Sequence, residues 1–168
     1  EPSLHQTILA RIEATSERAV AVREADVVVE AAPEDLATKR AIFAALAKEA
    51  PPYALLGSNT SSIPIGSIAQ GCGAEGRVIG LHFFNPVPVM ALLEIVKGQG
   101  TTEATVAAAR AFAAYLGKDA ILVTDSPGFA TSRLGVLLGL EAMRMLEQGV
   151  ASAADIDKAM ELGYRHPM

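Results

Sequence analysis

The sequence predicts an α/β fold, with a parallel sheet and interleaved helices over residues 1–124 and a helical domain over 125–168. Three observations predict it. Short apolar runs rich in β-branched residues alternate with helix-period stripes through the first part of the chain. Several of these runs end in polar residues, as buried parallel strands do where they reach a ligand-facing edge. After Asp125-Ser126-Pro127-Gly128 the strand-like runs stop and only helical patterns follow.

Taken in order, Leu4, Ile8 and Ile12 mark a first helix, and Val20 and Val22 lie in the connector after it. Asp26-Val27-Val28-Val29-Glu30-Ala31 reads as a buried strand closed by Pro33. Residues 34–50 read as a helix with an acidic first turn and an apolar stripe of Leu36, Phe43, Leu46 and Ala50; Lys39 interrupts that stripe. Pro51-Pro52 ends it, and Tyr53-Ala54-Leu55-Leu56-Gly57 forms a second strand before the polar run Ser58-Asn59-Thr60-Ser61-Ser62. A short helix over 64–70 and a third strand over 77–84, closed by Asn85-Pro86, come next. The fourth strand, 92–97, shows period-2 alternation around Glu94. An alanine-rich helix over 102–116 stops at Gly117, and 119–124 is the fifth strand. Residues 129–148 keep only a narrow polar stripe of Arg133, Glu141, Arg144 and Gln148, which predicts a helix packed on several sides. The last helix, 152–162, has Ser152 as N-cap and Asp155 in its first turn.

Composition narrows the function classes. The 168 residues are 51% hydrophobic and 20% charged, a globular profile that excludes intrinsic disorder. No apolar stretch approaches the roughly 18 residues of a membrane span, and Glu1-Pro2-Ser3-Leu4-His5 has no export signal. A single cysteine, Cys72, forms no intrachain disulfide and suits a reducing cytoplasm. The net charge of −5 argues against nucleic-acid and anionic-membrane partners. Cys72 has no basic neighbour to activate it and reads as an inert thiol, His5 and His166 carry no chemical context, and no Cys/His spacing suggests a metal.

Gly71-Cys72-Gly73-Ala74-Glu75-Gly76 matches the dinucleotide pattern G-x-G-x-x-G in the wrong setting. That pattern needs a strand before it and a helix after it; here a helix precedes and a strand follows, so it reads as a connecting loop. The chemistry falls instead at three strand ends: Glu30 and Glu34, residues 58–62, and 82–85. Serines and asparagines also serve as caps, and Ser62 before Ile63-Pro64 reads as an N-cap. His82, between Leu81 and Phe83, is either a neutral core histidine or a base near neutral pH. Glu94, between Leu93 and Ile95, either partners His82 or points to solvent from an edge strand. Lys39 alone reads as a lysine snorkelling along its helix.

The run Leu81-His82-Phe83-Phe84-Asn85-Pro86-Val87-Pro88-Val89-Met90 resembles the signature of the 3-hydroxyacyl-CoA dehydrogenase family. Residues 25–31, 58–62, 125–129, 155–157 and 163–168 follow in that family's order and approximate spacing. The resemblance implies a Rossmann-type, mostly parallel sheet, of which residues 1–124 are the latter part, and the start of an all-α substrate and dimerisation domain at 125–168. It implies oxidation of L-3-hydroxyacyl-CoA to 3-ketoacyl-CoA with NAD or NADP, or the reverse, within fatty-acid metabolism, in a homodimer. His82 then takes the hydroxyl proton, Glu94 orients it, Ser61 holds the reacting oxygen near the cofactor, and Glu34, Lys39 and Asn85 fall at cofactor-contacting positions. The family has an asparagine where this sequence has Ser132, a shorter side chain without the amide fork, which leaves the hold on the substrate carbonyl to a hydroxyl or to water. The family's glycine loop and ribose-binding acid are expected before Glu1, with more helices after Met168. The alternatives are a related hydroxy-acid or carnitine-type dehydrogenase, and a non-catalytic fragment.

Overall fold

The computed structural model describes residues 2–166, with side chains from residue 6 onward; the closing Pro167-Met168 of the resemblance and the side chain of His5 lie outside the described residues. The chain divides into two compact units, 1–125 and 126–168.

The first unit is a five-stranded sheet in the order β1-β2-β3-β4-β5: Val27–Glu30, Leu55–Ser58, Val78–Phe83, Leu92–Lys97 and Asp119–Thr124. β1, β2 and β3 run parallel, β4 runs antiparallel to β3, and β5 runs parallel to β4. The sheet is therefore mostly parallel, as expected, with one antiparallel junction that the sequence did not locate. The eight residues between β3 and β4 contain no helix, so the chain turns back beside β3 instead of crossing over. The helices are α1 (Pro2–Leu9), α2 (Arg18–Val22), α3 (Leu36–Glu49), α4 (Ile65–Ala69) and α5 (Glu103–Tyr115). Val20 and Val22, expected in a connector, form α2.

Strand periodicity sorts the core. Ile79 and Leu81 of β3 join Leu93 and Ile95 of β4 in a buried cluster with Val106, Ala109 and Ala113 of α5. Gly80, His82, Glu94 and Val96 therefore occupy the opposite face. On that face a Cβ on Gly80 would lie 2.6 Å from the Val96 Cβ and 3.0 Å from Ile65 Cδ1. β4 is central, not an edge: its four middle residues are all buried, so the expected alternation is replaced by burial on both faces.

Several helix ends follow local chemistry. Asp35 and Thr102 cap α3 and α5 through side-chain oxygens, so the acid expected in the first turn of α3 is its cap. Gly117 ends α5 at φ +67°. Ser62 does not cap α4. The Asp125 carboxylate, at the end of β5, accepts from the Ile65 and Gly66 amides at 2.9 and 2.8 Å and caps it from afar.

The second unit pairs α6 (Thr131–Glu147) with α7 (Ala153–Tyr164), the latter capped by Ser152. Among the described residues none of α6 is buried; Leu134, Val136, Met143 and Leu146 are all at least half exposed. The expectation of packing on several sides is corrected: α6 meets chiefly one neighbour, α7, and its other apolar faces lack cover within the unit.

Gly80→Ala is expected to destabilise the first unit by about 1–3 kcal/mol, because the fully buried Val96 leaves no room for a methyl group. Urea denaturation monitored by circular dichroism measures it, and an unchanged midpoint contradicts the packing described.

Candidate active site

Parallel pairing brings the carboxyl ends of β1, β2 and β3 to one edge, so the three polar strand ends converge as expected. At β3 the register sets His82 directly opposite Glu94. Directly opposed residues share a face, and here their side chains meet: His82 Nδ1 lies 2.7 Å from Glu94 Oε2. Glu94 is wholly buried and His82 is 6% exposed, which excludes the solvent-pointing alternative for Glu94. A carboxylate only accepts, so Nδ1 carries the proton and the basic lone pair lies on Nε2. The Phe84 ring lies against the imidazole, with centroids 4.6 Å apart.

The β2 end is organised by two acids. Glu30 Oε2 accepts from the Ser58 hydroxyl at 2.6 Å. Glu34 Oε1 accepts from four donors: the Thr60 hydroxyl, the Ser62 hydroxyl, and the Ser61 and Ser62 amides. Ser61 is exposed, and its hydroxyl is the one of the four in residues 58–62 not donated to either acid. The Asn59 carboxamide oxygen accepts from the Phe83 amide at 2.9 Å and ties the β2 end to the β3 end. Partial burial pushes the Glu34 carboxyl up, but the hydroxyl and amide donors of Thr60, Ser62 and Ser61 outweigh it and hold the group below its ordinary value.

Lys39 does not snorkel. Its side chain is 1% exposed, and its ammonium ends 2.7 Å from Glu30 Oε1 and 3.1 Å from the Ala32 carbonyl, with Glu34 Oε2 at 3.5 Å. Glu30 Oε1 also accepts from the Ala32 amide at 2.6 Å. A signal for this pair existed: an acid abutting Val27-Val28-Val29 needs a partner, by the argument applied to Glu94. Asn59 offered no comparable signal. Asn85 is exposed just beyond β3. Ser132 lies half-buried in the first turn of α6, in the second unit.

In the Gly71–Gly76 loop, the Glu75 carboxylate accepts from the Gly71 amide at 3.0 Å and the Gly73 amide at 3.4 Å, so those amides are turned onto a neighbouring acid. Burial pushes the Cys72 thiol up, which agrees with an inert cysteine. No metal-holding group of His, Cys, Asp or Glu exists among the described residues, and no helix there is long and apolar enough to cross a membrane.

The exposed donors and acceptors at the edge suit part of a dinucleotide. The Glu34 carboxylate, the Ser61 hydroxyl and the Asn85 carboxamide match sugar hydroxyls and an amide in hydrogen-bonding character. A mostly parallel sheet whose polar strand ends converge at one edge defines a Rossmann-type, nucleotide-binding class of fold.

Comparison with known proteins narrows this class. Residues 2–126 match the family model described as 3-hydroxyacyl-CoA dehydrogenase, NAD binding domain, and residues 128–168 match the C-terminal domain of the same family. The chain is 42% identical over 160 residues to a probable 3-hydroxyacyl-CoA dehydrogenase of Caenorhabditis elegans, covering 95% of this chain and 54% of that one. It is 47% identical over 143 residues to a 3-hydroxybutyryl-CoA dehydrogenase of Mycobacterium tuberculosis, covering 84% and 50% respectively. The solved (S)-3-hydroxybutyryl-CoA dehydrogenase of Ralstonia eutropha superimposes with a TM-score of 0.92 at 38% identity, over 99% of this chain and 59% of that one. The chain belongs to the 3-hydroxyacyl-CoA dehydrogenase family. It spans about half the length of the curated relatives it matches.

The depressed Glu34 carboxyl predicts an acid transition. Its contribution to loop order is fully present above the ordinary value of 4.5 and is lost as pH falls through its lower folded value. The Ser61 and Ser62 amide resonances are expected to report this loosening. Persistence of the same transition in Glu34→Gln contradicts the assignment.

Proposed function

We propose that the protein is an NAD-dependent 3-hydroxyacyl-CoA dehydrogenase, interconverting L-3-hydroxyacyl-CoA and 3-ketoacyl-CoA. The observation that carries this reading is the 2.7 Å contact between His82 Nδ1 and the wholly buried Glu94, at a strand end in a chain of this family. When bound, NAD supplies a hydride acceptor for C3. His82 takes the C3 hydroxyl proton at Nε2. Glu94 holds the Nδ1–H and stabilises the imidazolium, so the ring need not reorient as it becomes charged. Ser61, the hydroxyl left over from the acid-bound loop, hydrogen-bonds the reacting oxygen. Glu34 and Asn85 hold the cofactor, and Ser132 holds the substrate carbonyl through its hydroxyl.

The boundary between the cofactor-binding part and the helical part falls at residues 124–125 in this reading, close to the division between the two compact units. The exposed apolar residues of α6 support self-association as a homodimer. The single unpaired cysteine supports a cytoplasmic location, and the acyl-CoA substrate class supports a role in fatty-acid metabolism.

With the full-length gene product and acetoacetyl-CoA, consumption of NADH is expected in the near ultraviolet. His82→Ala should lower kcat by about 10²–10⁴-fold, the usual contribution of a positioned base. Glu94→Gln should lower it less, because the amide still contacts Nδ1 without offsetting the imidazolium charge. Retention of most activity in His82→Ala sinks the mechanism. Preference for a hydroxy substrate without coenzyme A transfers the chain to another branch.

A further inference from the structure

Lys39 stands between two acids of unequal reach. Its ammonium lies 2.7 Å from Glu30 and 3.5 Å from Glu34. Glu30 is almost closed to solvent, with a 2% exposed side chain, whereas that of Glu34 is 40% exposed. Glu30 binds Lys39, the Ala32 amide and the Ser58 hydroxyl. Glu34 gathers residues 60–62 through its other oxygen, Oε1. One cation and two anions share this corner, and Glu30 holds the cation more closely than Glu34 does.

We propose that Glu30 is a positioning residue for the cofactor edge: by holding the Lys39 ammonium at 2.7 Å, it keeps Glu34 available to order residues 60–62 and to meet the ligand. Lys39 then serves the cofactor without touching it. Take the Glu30 charge away, and the nearest carboxylate for the buried ammonium is Glu34. A buried cation draws an anion strongly, so Glu34 turns inward and residues 60–62 lose their common acceptor. The Glu30 backbone supports the same corner, since its carbonyl accepts from the Asn59 amide at 2.8 Å. This inference rests on the proposed NAD-dependent function.

The test uses full-length protein and measures NAD binding by calorimetry at a temperature where every variant is folded, alongside thermal unfolding without cofactor. Glu30→Gln, nearly isosteric, is expected to raise the NAD Kd on the order of tenfold, beyond any change in folded fraction. Glu30→Gln combined with Lys39→Met removes both charges and is expected to restore Kd to within about threefold of the unaltered protein. A purely structural role would lower the unfolding temperature of Glu30→Gln and leave its Kd unchanged; that result overturns the proposal. Failure of the double variant to recover binding also overturns it. Failure of the unaltered protein to bind NAD overturns instead the function on which the proposal stands.

Discussion

The site depends on the antiparallel register between β3 and β4. His82 and Glu94 are opposite one another because Leu81 pairs with Ile95 and Phe83 with Leu93 on the other face. Those neighbours are locked into the cluster beneath α5, so the hydrophobic core and the polar pair fix each other's alignment. A slip of β4 by one residue would send Ile95 to the polar face and set Glu94 among the aliphatic side chains beneath α5. Burying a carboxylate is costly without a partner, and the facing imidazole supplies one. The same register therefore serves packing and proton chemistry.

A second constraint acts at the neighbouring strand ends. Parallel β1 and β2 bring Glu30 opposite Ser58, so the acid that closes β1 accepts from the hydroxyl that closes β2. The loop after β2 carries several donors within a few residues, and such loops order only when the donors find acceptors. Glu34 supplies one oxygen for four of them. The buried Lys39–Glu30 pair lies behind this arrangement. Breaking such a pair by removing one partner typically costs about 3–5 kcal/mol, although the intact pair contributes little net stability. Its value lies in geometry more than in stability.

The two units differ in how their apolar surface is used. In the first, α3, α4 and α5 cover a sheet whose central strands are fully enclosed. In the second, α6 offers apolar residues around most of its circumference to a single neighbouring helix. Exposed apolar area on that scale marks a surface that associates with something.

Much of this was legible in the sequence. Apolar runs and their Pro and Gly breaks located all five strands; burial on both faces demands such composition in the central β2, β3 and β4. The acid within Leu93-Glu94-Ile95 and the histidine within Leu81-His82-Phe83 announced partners, because isolated polar groups are not buried without them. The histidine segment carried the family. Only the tertiary structure decided the rest. Strand direction at β4 was invisible because apolar pattern has no polarity. The cap of α4 was missed because Asp125 lies some sixty residues from the amides it binds. Pattern alone read Lys39 as a solvent-seeking lysine and the family resemblance set it at the cofactor, but helix periodicity shows which face a residue occupies and not that Glu30 waits there. Sequence specifies which groups must be satisfied; distant chain segments meeting in space determine what satisfies them.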